Sequence, residues 1–99
     1  MPLSTKQIRY LKGLGHKLNP VVTVADKGLT ENVLGELEAT LTKHELIKVK
    51  MRVARDDRKK FIKEISRVCK AEKIDAIGQV ACFFRRNSEK PVIALPGKA

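Results

Sequence analysis

Val21–Leu34 reads VVTVADKGLTENVL, and this stretch decides the fold, because a strand, a turn and a helix start follow one another in it. Val21–Val24 is a short apolar, β-branched run, the composition of a strand buried on both faces. Thr30 is placed to cap a helix, Glu31 falls in its first turn, and Leu29 and Leu34 hold the two staple positions. Between strand and helix lies the polar turn Ala25-Asp26-Lys27-Gly28. It aims unpaired backbone N–H groups and the positive end of a helix dipole at one spot, with a lysine beside it. Such a spot suits a phosphate.

Upstream, Leu3-Ser4-Thr5-Lys6-Gln7-Ile8 is a helix start: Ser4 with Gln7 forms a capping box, and Leu3 with Ile8 a staple. Ile8, Leu11 and Leu14 continue at helical spacing, with Gly15 as the expected C-cap. Pro20 bars further helix. Downstream, the second helix is expected over Glu31–His44, with Val33, Leu34, Leu37 and Leu41 on its inner stripe. Leu46–Val53 alternates: Ile47, Val49, Met51 and Val53 point one way, and Lys48, Lys50 and Arg52 the other. Asp56 or Asp57 is expected to cap a third helix reaching about Glu72, with Phe61, Ile62, Ile65, Val68 and Cys69 buried. The apolar segment Asp75–Arg85 contains Gly78 and reads as one bulged strand or two short ones. A turn at 86–90 is expected to lead to a last strand at Val92–Leu95. The order α-β-α-β-α-β-β, with right-handed crossovers, predicts an α/β (α+β) two-layer fold. Helices two and three share one face of a mixed four-stranded sheet. Residues 1–96 read as one domain, and 97–99 as a loose tail within Pro96–Ala99.

The 99 residues carry a net charge of +10, which bears on partners rather than on fold. The charge is unevenly spread. Residues 1–20 hold Lys6, Arg9, Lys12 and Lys17 with no acid, and residues 46–73 hold eleven bases against four acids. Residues 29–45 run the other way, with Glu31, Glu36, Glu38 and Glu45 against Lys43. A sided surface of this kind points to a polyanion, of which nucleic acid is the abundant biological case. No apolar run approaches the ~20 residues that span a bilayer, and the N-terminus has no signal-peptide pattern. Cys69 and Cys82 lie on apolar stripes without metal-type spacing. Both read as buried reduced thiols, which points to the cytoplasm.

The motifs Ser4-Thr5-Lys6-Gln7, Leu11-Lys12-Gly13-Leu14, Pro20-Val21-Val22, Gly28-Leu29-Thr30-Glu31 and above all His44-Glu45-Leu46-Ile47-Lys48-Val49-Lys50 together resemble a known family. It is the CRM domain (chloroplast RNA splicing and ribosome maturation), in its bacterial single-domain, YhbY-type form. The resemblance spans nearly the whole chain. It implies a fold like the C-terminal domain of translation initiation factor three with an added first helix, and association with precursors of the large ribosomal subunit. The family carries a Gly-x-x-Gly loop after its first strand, analogous in position to the KH-domain loop. Here that loop is Ala25-Asp26-Lys27-Gly28, so the second glycine is present and the first is alanine. A Cβ at residue 25 hinders close backbone approach, and Asp26 places a negative charge where a phosphate would sit.

The candidate RNA-binding residues are the loop Ala25, Asp26, Lys27 and Gly28; Arg9, Lys12 and Lys17 of the first helix region, with His16 beside them; Lys48, Lys50 and Arg52 on the second strand; and Lys59, Lys63, Arg67 and Lys70 along the third helix. The plain alternatives are an ordinary strand-to-helix turn and solvated charged faces. Against the latter, the third-helix stripe is nearly all one sign, with only Glu64 nearby, and like charges at i,i+4 are mildly destabilising. Aromatics are scarce, and only Tyr10 is expected at the surface, so binding should lean on phosphates and RNA shape rather than base stacking. Asp56-Asp57 with His16 or His44 offers no recognisable catalytic or ligand spacing, and capping explains the paired aspartates. An acid-binding adaptor or membrane-surface module would account for the charge but not for the loop, and no helix has the apolar face of an interfacial anchor. The expectation is therefore a non-catalytic, cofactor-free, monomeric RNA-binding protein of ribosomal particles, with no metal, membrane or small-molecule partner. The alternative is a general RNA chaperone or splicing-type module.

Overall fold

Ser4 opens the first helix as its sequence requires. In the computed structural model its hydroxyl accepts the Gln7 N–H at 3.1 Å while the Gln7 side chain accepts the Ser4 N–H at 3.0 Å. The structure describes residues 3–97; Lys98 and Ala99 of the expected tail, like the first two residues, lie outside them. Seven elements follow in chain order: α1 (Thr5–Gly15), β1 (Pro20–Val24), α2 (Glu31–His44), β2 (Leu46–Met51), α3 (Arg55–Cys69), β3 (Glu72–Ile77) and β4 (Val80–Phe84). The sheet order is β1-β2-β4-β3. β1 pairs parallel with β2, and β4 antiparallel with β2 and β3. The fold is thus the mixed α/β arrangement with a four-stranded sheet that the patterning predicts.

One face of the sheet carries the larger core. Val22, Val24, Ile47, Val49, Met51, Ala81 and Phe83 meet Leu37 and Leu41 of α2 and Ile65 and Cys69 of α3. On the other face α1 sets Leu11 against Leu46, Ile74, Cys82 and Phe84. The two-layer arrangement therefore stands where α1 is absent, and over the rest of the sheet α1 adds a cover of its own. Gly15 does not end α1 as a left-handed cap. It stays within the last turn, where a Cβ would stand 3.1 Å from Cys82 Sγ, and His16 follows as C-cap. The missing side chain lets the helix end rest on the sheet.

Several expectations change for local reasons. β1 is an edge strand with Val22 and Val24 inward, so Val21 is 48% exposed rather than doubly buried. Asp56 and Asp57 do not cap α3: Ala54 is the N-cap without a side-chain bond, and the aspartates sit in the first turn, where they favour the dipole. α3 stops at Cys69, because Lys70 turns into the left-handed region at φ 54°, and Val68 faces solvent. Residues 75–85 resolve into two short strands, β3 starting already at Glu72, and Gly78 opens their turn at φ 57°. Val92–Leu95 is not a strand. Ile93 and Leu95 instead pack on the α1 side of the core, and the Pro96 carbonyl accepts the Gln7 side-chain N–H at 3.0 Å, so Pro96 is tethered.

What replaces that strand is a buried acid. Glu45, fully enclosed between α2 and β2, takes a left-handed φ of 63°. Its carboxylate accepts the backbone N–H of Asn87 at 2.6 Å, Val92 at 2.8 Å and Ile93 at 2.7 Å, with the Arg86 guanidinium 3.5 Å away. Burial pushes its carboxyl upward, but those three N–H bonds and Arg86 outweigh it and hold the group below the ordinary value of 4.5. Arg86 also donates to the Ile93 carbonyl at 2.7 Å. One side chain thus gathers the backbone of Asn87, Val92 and Ile93 onto the domain.

Candidate nucleic-acid interface

β1, β2 and β3 run the same way, so their C-terminal ends, and the loops that leave them, lie along one edge of the sheet. In open α/β sheets that edge is where ligands bind. Three connections meet there: the 25–28 loop, residues 52–54, and the Gly78-Gln79 turn. The Arg52 N–H donates to the Val24 carbonyl at 2.8 Å, and the Met51 N–H to the Gln79 carbonyl at 2.7 Å, which ties the second connection to both neighbours.

The loop itself is a tight turn. The Gly28 N–H donates to the Ala25 carbonyl at 2.8 Å, and the Thr30 hydroxyl accepts the Val33 N–H at 3.2 Å, capping α2. Gly28 is buried with φ 72°, and a Cβ on it would meet the Phe61 ring of α3 at 3.1 and 3.3 Å. Glycine here is demanded by conformation and packing at once. Ala25 carries no positive φ, so the first position of the turn needs no glycine for its backbone. Lys27 and Asp26 are exposed.

Lys27 and Arg52 therefore stand at adjoining ends of β1 and β2. Arg55, Arg58 and Lys59, in the first turns of α3, line a hollow of about 350 Å³ with Ile62, Gly78 and Gln79. Arg58 is half-buried and donates to the Val53 carbonyl at 2.9 Å, holding the 52–54 connection in place. No side chain caps the N-terminus of α3. Against these cations stand Asp26, Asp56 and Asp57, the last two beside the helix dipole's positive end. Sequence reasoning misses Arg55 and Arg58: a helix start at the aspartates leaves Arg55 before the helix, and Arg58 falls outside the stripe of Lys59, Lys63, Arg67 and Lys70.

The remaining candidates fall elsewhere. Lys63 is one turn beyond Lys59 on the exposed face. Lys70 is about 16 Å from Lys59 along the axis at 1.5 Å per residue, and Arg67 near it is ion-paired with Glu64. Lys48 and Lys50 point to the α1 side of the sheet, and Lys48 shares a second hollow with Lys12 and His16. Lys17 borders an apolar groove with Leu14, Leu18, Val21 and Ile93, and Arg9 lies exposed on α1. The structure thus splits one presumed basic surface into an edge group, an α1-side group and outliers. Tyr10, 42% exposed, is the one exposed aromatic among the described residues, while Phe83 and Phe84 are core. Both cysteines are free and buried, and burial pushes each thiol up to about 11. No group of three or more potential metal ligands occurs among the described residues, and no helix in them is long and apolar enough to cross a membrane.

The CRS1 / YhbY (CRM) domain model matches residues 3–85, which takes in all three helices, the loop and the whole sheet. The chain belongs to the CRM domain family. A Haemophilus influenzae protein named an RNA-binding protein is 48% identical over 97 residues, 97% of each chain. A Pseudomonas aeruginosa protein, named a probable RNA-binding protein, is 44% identical over 88% of this chain and 85% of its own. The solution structure of a hypothetical Staphylococcus aureus protein superposes with a TM-score of 0.81 at 32% identity. It covers 96% of this chain and all of the other. The CRM fold accordingly carries both the 25–28 loop and the buried Glu45 in this chain.

Proposed function

We propose that this CRM domain is a non-catalytic RNA-binding protein whose sheet edge receives an RNA backbone. The observation that carries the reading is that Arg55 and Lys59 line a hollow at an uncapped helix N-terminus, on the same sheet edge where the connections bearing Lys27 and Arg52 leave β1 and β2. Backbone N–H groups and a helix dipole favour phosphate, and phosphate contacts position a protein on RNA without requiring base stacking. The names of the Haemophilus and Pseudomonas relatives support RNA as the ligand. The resemblance drawn from HELIKVK and the accompanying motifs supports a finer reading, action on rRNA in precursors of the large ribosomal subunit, which we propose for a monomer whose two free, buried thiols suit the cytoplasm.

Two measurements test this. For about five phosphate contacts on single-stranded RNA, the log–log dependence of affinity on salt should have a slope near −3.5, and a slope near zero refutes an electrostatic edge. Sedimentation of cell extract through a ribosome gradient should place the protein with large-subunit precursors. Recovery only in ribosome-free fractions, with RNA affinity intact, refutes the ribosomal role in favour of a general RNA chaperone.

A further inference from the structure

The face of the sheet that α1 leaves open holds a second hollow, of about 280 Å³, lined by Lys12, Gly15, His16, Pro20, Lys48, Asp75, Ile77, Val80 and Cys82. Its floor is ordered by strand register. One row crosses the sheet as Pro20–Lys48–Cys82–Asp75, and the next as Thr23–Lys50–Val80–Ile77. At the usual strand spacing each row spans about 14 Å. The C-terminal turn of α1, seated on Cys82 through the bare Cα of Gly15, forms the wall and brings Lys12 and His16 to the rim.

Three features of this hollow have no use within the fold. Ile77 is 67% exposed beside half-buried Val80, so apolar surface is left open to water. Lys48 is half-buried, yet neither it nor Lys12 has an ion-pair partner among the described residues. Asp75, in the same hollow, turns one oxygen to the Ala76 N–H at 3.0 Å instead of to a lysine. The acid nearest these lysines thus leaves them unpaired and their charge available. Apolar Ile77 and Val80 on one side of the floor, with Lys48 beside them and Lys12 at the rim, match a ligand with a flat apolar body and an anionic end. The volume falls just below the range of ligand pockets, roughly 300–1,000 Å³, so the hollow takes a base and leaves the sugar and phosphate at its rim.

We infer that this hollow seats one unstacked nucleotide of the bound RNA. Its base rests on Ile77 and Val80, its phosphate meets Lys12 and Lys48, and the free Asp75 oxygen accepts a base N–H. The inference rests on the RNA-binding reading but concerns the sheet face opposite α2 and α3. A domain built this way holds RNA at two places, the edge by its backbone and the hollow by a base.

The test uses amide and methyl NMR spectra of the full chain with adenosine 5′-monophosphate, with inorganic phosphate, with tri-glutamate, and with an unstructured ten-nucleotide RNA. The mononucleotide and the RNA should shift Lys12, His16 and Lys48 amides and move the Ile77 and Val80 methyls by ring current. Phosphate and tri-glutamate should leave those methyls in place. Ile77→Asp alters an exposed position. It should abolish the methyl shifts and weaken the ten-nucleotide RNA about fivefold, the scale of losing part of one apolar contact. Shifts of the Lys27 and Arg52 amides should survive it. Equal shifts with phosphate or tri-glutamate overturn the nucleotide seat, as does RNA that shifts only the edge. RNA that shifts neither region overturns the RNA-binding reading itself.

Discussion

Removing two charges from the sheet edge should cost more than removing two from the far end of α3, although the net charge falls equally. The edge pair is Lys27→Ala with Arg52→Ala, and the control pair is Arg67→Ala with Lys70→Ala. All four residues are exposed, so each substitution should change stability by about 0.5 kcal/mol or less. The Arg52 bond to the Val24 carbonyl is made by the backbone and survives truncation. Each phosphate contact on single-stranded RNA contributes about 0.7 to the salt slope, hence about fourfold in affinity at roughly 0.15 M salt and about eightfold at roughly 0.05 M. If both edge residues touch phosphate, the double variant should bind about fourteenfold more weakly at the higher salt, and its slope should flatten by about 1.4. The control pair should lose about twofold or less, because Arg67 is already neutralised by Glu64 and Lys70 lies at the opposite sheet edge. Fluorescence anisotropy with a labelled RNA at several salt concentrations measures both quantities. Equal losses in the two pairs would mean that only the overall field matters, and the sided surface would be wrong.

Glu45→Gln should destabilise the domain by about 2–4 kcal/mol in urea denaturation at pH 7, since it leaves buried N–H donors facing an amide. Because the folded Glu45 carboxyl lies below 4.5, its contribution is complete above that pH and lost as pH falls through the folded value. The parent should therefore weaken in acid where the variant is flatter, and parallel pH profiles would remove the charge from the account. Gly28→Ala should cost about 1–3 kcal/mol, from the positive φ together with the Phe61 contact. A thermal midpoint equal to the parent's would show that the loop relaxes freely.

The Gly28 geometry also changes how the loop is to be read. From sequence, a glycine opening a helix beside a lysine points to close approach of a phosphate. The Phe61 ring beneath it supplies a second reason for glycine, one that no local pattern contains because the two residues are 33 positions apart. Loss of RNA affinity in a Gly28 variant would therefore report on packing as much as on contact, and Lys27 is the cleaner probe. Helix starts were legible at Ser4 and Thr30 because a cap is satisfied within four residues. The start of α3 was not, because Ala54 caps with no side chain and the aspartates one turn in mimic a cap. The basic residues were legible as a set but not as groups. Alternation places Lys48 and Lys50 off the core face, yet only the position of α1 decides that Lys48 looks into a hollow.

The same limit explains the last strand. Val92–Leu95 is apolar, follows a turn, and has the length of a strand, so local pattern favours one. The competing claim on its backbone comes from Glu45, whose carboxylate takes the N–H groups of Val92 and Ile93. A buried acid is rare unless paired, and in HELIKVK the glutamate reads as the charged end of a helix. Its φ of 63° turns the chain sharply from α2 into β2 and carries the side chain inward, where three N–H donors offset both the strain and the desolvation. The rest of the segment is spent residue by residue: Leu46 on the core under α1, Ile47 and Val49 on the core under α2 and α3, Lys48 and Lys50 on the open face. The six side chains from 45 to 50 thus divide among four surroundings, which no single helix or strand pattern describes.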